Sequence, residues 1–128
     1  MKMLKKFAVL SVFGLVMAHA SAADLAGLWR HAEEPVWLEI AADGEVATGS
    51  IRRNDNKPEL VGMTFLKEVK PAGNSGNQWV GQIYAQSMKE FKDAKINLKT
   101  AEQMQITVKA GFVSRTITWQ RVDTLSED

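Results

Sequence analysis

The last stretch of the chain keeps a strict two-residue rhythm. Arg115, Ile117, Trp119 and Arg121 share one parity, while Thr116, Thr118 and Gln120 share the other. Successive side chains of a strand point to opposite faces, so the pattern predicts a half-buried strand with Arg121 on its apolar side, next to Trp119. The rhythm recurs upstream. Leu25, Gly27 and Trp29 alternate with Ala26, Leu28 and Arg30, and Val36, Leu38 and Ile40 alternate with Trp37 and Glu39. Asp43-Gly44 then predicts a two-residue hairpin of type I′, with a return strand over 45–53 and a bulge or bend at Gly49. Residues 60–69 read as a strand with Val61, Met63 and Phe65 on one side. Trp79, Gly81 and Ile83 alternate with Val80, Gln82 and Tyr84; Ala94, Ile96 and Leu98 alternate with Asp93, Lys95 and Asn97. Met104, Ile106 and Val108 oppose Gln103, Gln105, Thr107 and Lys109, the clearest half-buried strand of the set. Polar, turn-rich breaks fall at 54–58 and 71–77.

No stretch of 23–128 sustains an apolar repeat at i, i+3, i+4 and i+7, so helix is confined to a single turn at Gln86-Ser87-Met88 or Thr100-Ala101-Glu102. About eight short strands with turns between neighbours predict an all-β barrel or sandwich. Short links favour antiparallel up-and-down order, and closure removes exposed edges. Arg121 on an apolar face needs a partner, because an unpaired buried charge is costly. The face of Trp29, near the other end, supplies one worth about 0.5–2 kcal/mol. Gly27, Trp29 and Arg121 are therefore the expected closure set, joining first strand to last. A barrel of this size holds a filled core or one small ligand. Met63, Phe65, Trp79, Ile106, Val108, Ile117 and Trp119 are its candidate lining.

The first residues break the rhythm. Lys2, Lys5 and Lys6 form a basic leader, an uncharged apolar run follows, and Ala20-Ser21-Ala22 offers the small-x-small triplet of a signal peptidase site. The apolar run is too short for a bilayer span, which needs about 20 residues. The chain is expected to divide into a signal peptide, 1–22, and a barrel domain, 23–128. The favoured cut lies after Ala22, with a cut before Ser21 as the alternative. Periplasmic or secreted location follows, with no transmembrane segment after cleavage.

The formal net charge of +1 becomes −2 once the three leader lysines are removed, so a basic footprint for nucleic acid is absent. The chain has no Cys, and His19 leaves with the leader, which makes His31 a lone histidine. A His/Cys metal site or a nucleophile–histidine pair has almost no material, and neither a catalytic residue nor a cofactor is expected. His31 reads as a loop residue at a barrel rim, and Glu33, Glu34, Glu39, Asp43 and Glu45 as solvated hairpin charges. The four tryptophans are the stronger signal. Trp29 and Trp119 are expected in the core. Trp37 and Tyr84 fall out of phase with their apolar neighbours, so they are the candidate interaction surface.

Gly27-Leu28-Trp29, Asp43-Gly44, Gly49 with Ile51, Leu60-Val61-Gly62-Met63, Trp79 with Gly81-Gln82-Ile83-Tyr84, Gly111-Phe112 and Trp119-Gln120-Arg121 together carry a resemblance. Over residues 25–121 the chain resembles the DUF2147 family, small exported bacterial proteins of uncharacterised function. The resemblance implies a lipocalin-like (calycin) barrel and carries over no catalytic residue. Two functional readings follow. In one, the barrel binds a small apolar or amphipathic ligand. In the other, a solid-core barrel docks an envelope protein through Trp37 and Tyr84.

Overall fold

A computed structural model describes residues 19–126 of the chain. Residues 1–18 of the expected signal peptide lie outside the described residues. The strands are β1 (Gly27–His31), β2 (Val36–Asp43), β3 (Val46–Asn54), β4 (Thr64–Pro71), β5 (Gln78–Ala85), β6 (Glu90–Thr100), β7 (Gln103–Ala110) and β8 (Val113–Val122). Each pairs with the next in antiparallel order, and β8 pairs with β1, so the sheet is a closed up-and-down barrel. Among the described residues, no helix is long and apolar enough to cross a membrane.

Closure follows the expected register. Trp29 lies directly opposite Arg121, and the guanidinium carbon sits 4.3 Å from the indole centroid. The guanidinium does more than stack. Nε donates to the carbonyl of Ala101 at 2.9 Å, Nη1 to that of Ala26 at 2.8 Å, and Nη2 to that of Asp24 at 2.9 Å. Gly27, with φ 133, is the close neighbour that leaves room: a Cβ there would stand 3.0 Å from Arg121 Nη1.

A short 3-10 helix, Ala22–Leu25, plugs the barrel end where β1 begins. Ser21 and Asp24 form a capping box, with Ser21 Oγ accepting from the Ala23 N–H and Asp24 Oδ2 accepting from the Ser21 N–H. Two interior indoles fasten the plug: Trp29 Nε1 donates to the Leu25 carbonyl at 2.9 Å, and Trp79 Nε1 to the Ser21 carbonyl at 3.1 Å. Ala22 and Leu25 are buried in the same apolar cluster as Trp29, Trp79, Leu66, Val69 and Ile96. That end of the barrel is therefore solid. The folded part includes Ser21 and Ala22, ahead of the expected domain start at Ala23.

Three local expectations need correction. In the first hairpin Asp43 pairs with Val46, so the loop is Gly44-Glu45. Only Gly44 (φ 67) takes positive φ, which is the type II′ pattern rather than I′. The strand expected over 60–69 begins only at Thr64, because Pro58 opens a 3-10 turn, Pro58–Leu60, and Gly62 (φ 94) turns the chain after it. The alternation of Val61, Met63 and Phe65 also stops in β4. Its register with β5 slips between Lys67 and Lys70, at Glu68 (φ 54), so that Leu66 and Val69 enter the core. The irregularity expected at Gly49 is present, as register shifts flank it in the β3–β4 pairing. A Cβ there would press on Leu38 Cδ1 at 3.1 Å and Leu66 Cβ at 3.2 Å.

A candidate ligand cavity at the open end

The opposite end carries links 32–35, 55–63, 86–89 and 111–112, and no plug fills it among the described residues. A cavity of about 410 Å³ opens there, within the size range of small-molecule sites, about 300–1,000 Å³. Five expected lining residues border it: Met63, Phe65, Val108, Ile117 and Trp119. Trp79 and Ile106 do not. They are fully buried in the packed half, where the plug and its hydrogen bond to Trp79 occupy the interior. The parity of Trp79 and Ile106 was inward as expected; their height along the barrel places them below the cavity.

Trp119 forms part of the wall. Phe65 leans on it with centroids 5.9 Å apart, and His31 meets it edge-on at 5.1 Å. The Trp119 indole N–H is buried and has no hydrogen-bond partner among the described residues, and a buried donor left unpaired is unfavourable. Arg115, on the same parity of β8 as Ile117 and Trp119, reaches the mouth with Lys92 and Glu34. The exposed apolar side chains Val61, Met88, Phe112 and Val113 stand on the links and strand end around this opening.

His31 ends β1 and borders the cavity, rather than belonging to a loop. Backbone N–H groups of Glu33 and Glu34 both donate to its Nδ1 at 3.0 Å, which places the ring proton on Nε2. Burial holds its pKa below the ordinary histidine value; Glu34 and Glu33 pull it up, while Arg30 and Arg115 push it down. The unfolded chain thus takes up a proton at higher pH than the folded one. The stability that neutral His31 contributes is complete above about pH 6.5, and it is lost as the pH falls from there toward the lower folded value. The melting temperature is expected to drop as the pH falls below about 6.5, and the drop should shrink in His31→Gln. Parallel pH profiles for the two proteins would remove the role of this ring.

The expected interaction surface does not form. Trp37 is on the outer parity of β2 but is 1% exposed. It lies between the guanidinium groups of Arg30, 4.9 Å from its centroid, and Arg53, 4.4 Å away. Arg53 is itself held by the Asp55 carboxylate and the Leu125 carbonyl. Long cationic stems cover the indole, so it presents no bare apolar face. Tyr84 is half-buried on β5, stacks edge-on to Phe91 at 5.3 Å and borders the cavity mouth, well apart from Trp37 in strand order. Among the acidic residues of the first hairpin, Glu39 pairs with Arg52 on the surface.

The arrangement defines a small closed β-barrel, stoppered at one end and hollow at the other. Comparisons of the chain with protein-family models, curated proteins and solved structures return no match.

Proposed function

We propose that the protein is an exported, non-catalytic binding protein that takes a small apolar or amphipathic molecule into the open end of its barrel. The observation that carries this reading is the cavity of about 410 Å³ walled by Phe65, Ile117 and Trp119. Apolar walls with few polar groups are the usual chemistry of such sites. The unpaired Trp119 N–H inside, and Arg115 and Lys92 at the mouth, suit a ligand with an acceptor or anionic group on an apolar body. The ring of exposed apolar side chains at the opening gives such a molecule a greasy approach. The leader sequence supports export to the periplasm. The competing reading, a solid barrel docking through Trp37, loses support because that indole is covered.

Native mass spectrometry of protein purified from periplasm tests this. A reproducible adduct of a small molecule, released by organic solvent, is the expected result. Repeated recovery of the bare chain, with no displacement of an added apolar fluorophore by an envelope lipid extract, would overturn the reading.

A further inference from the structure

We propose that the leader is removed between Ala20 and Ser21, so that the exported chain begins at Ser21 and its new ammonium group locks the barrel plug. The inference rests on the export reading and deepens it by naming the processed bond. Two overlapping small-x-small triplets are available to a signal peptidase: Ala18-His19-Ala20 and Ala20-Ser21-Ala22. Sequence alone favours the second, with its cut after Ala22. The folded structure separates them.

From Ser21 onward the plug is engaged almost atom by atom. The Ser21 carbonyl accepts from Trp79 Nε1 at 3.1 Å and from the Asp24 N–H at 3.0 Å. The Asp24 and Ala26 carbonyls accept from Arg121, and the Leu25 carbonyl accepts from Trp29. The Ala22 side chain is 1% exposed. A cut after Ala22 discards Ser21 and Ala22. It strips the buried Trp79 N–H of its acceptor, removes the Ser21 hydroxyl from the Ala23 N–H and empties the slot of Ala22. An unpaired buried donor and a vacated apolar slot are both destabilising. Among the described residues, a cut after Ala20 gives up only a half-buried methyl packed on the core.

The chemistry at the new terminus fits as well. Water hydrolyses the Ala20–Ser21 amide in the peptidase. Ala20 leaves on the leader with the carboxylate, and Ser21 keeps its nitrogen, which is largely ammonium at neutral pH because an α-amino group titrates near pH 8. That nitrogen stands 3.1 Å from Asp24 Oδ2. Processing thus turns an amide-to-carboxylate hydrogen bond into an ammonium–carboxylate one, charged on both sides.

The full chain is expressed with its leader, and the periplasmic product is read by N-terminal sequencing and intact mass. Ser21 as first residue is expected. Ala23 as first residue overturns the proposal. A product that keeps Met1 to Ala20 overturns the export reading and the cut with it. A second measurement does not depend on export. Chains beginning at Ser21 and at Ala23 are compared by thermal melting; the first should melt higher by about 5 °C or more. Asp24→Asn should narrow that difference. Equal melting temperatures of the two chains would overturn the structural argument.

Discussion

Trp29→Ala should lower the free energy of unfolding by about 3–5 kcal/mol, the range for deleting a large core aromatic. Trp29 has no exposed surface, donates to the Leu25 carbonyl and carries the Arg121 guanidinium on its face. Arg121→Ala alone should cost about 1–3 kcal/mol, because the carbonyls of Asp24, Ala26 and Ala101 lose their donor at a partly buried seam. The double variant should be less destabilised than the two losses added, by about 0.5–2 kcal/mol, since the stacked contact is counted in both. Arg52→Ala, at an exposed ion pair with Glu39, serves as control and should shift stability by less than about 0.5 kcal/mol. Denaturant titration of the four proteins beside the parent settles the point. Simple additivity of Trp29 and Arg121 would mean that they do not act as one seal.

Ile117→Trp should abolish most binding in the cavity while leaving the barrel folded. Ile117 is half-buried on β8, between Arg115 at the mouth and Trp119 in the wall. An indole there has open space to occupy, so the overpacking penalty of about 1–3 kcal/mol that a filled core would impose should be largely avoided. Affinity for an apolar fluorophore such as anilinonaphthalene sulfonate is expected to fall at least about tenfold, or about 1.4 kcal/mol. Any small-molecule adduct carried by the parent should vanish with it. A folded variant that binds as tightly as the parent would take this cavity out of the function.

Period-two alternation carried the architecture. It located the last strand, and with it the pairing of Trp29 with Arg121, because a charge on an apolar face must find a partner. Alternation reports the side of the wall and not the height along it. Trp79 and Ile106 point inward as read, yet the plug turns their level into solid core. Parity also says nothing of what lies outside. Trp37 faces out, but Arg30 and Arg53 reach over it. The plug itself was illegible, since four residues of 3-10 helix have no periodicity to detect; its sign was the Ser21…Asp24 capping pair. Gln86, Ser87 and Met88 border the cavity from a link that closes as a local turn, the Met88 and Lys89 N–H groups donating to the Ala85 carbonyl at 3.1 and 2.8 Å. Arg115 was within reach of the sequence, because it shares parity with Ile117 and Trp119.

The pairing of Leu28 with Val122 has a consequence for how the molecule is made. A polypeptide that emerges from its amino end can zip successive hairpins as they appear, but the seam needs residues from both extremes. The final latch must wait for nearly the whole chain. Contacts so distant in sequence form slowly, because a long loop is closed before any reward is gained. Until then the first strand has one unsatisfied flank and the plug has no guanidinium to grip it. Such a chain stays loose while it is being made and snaps shut only after its tail has arrived.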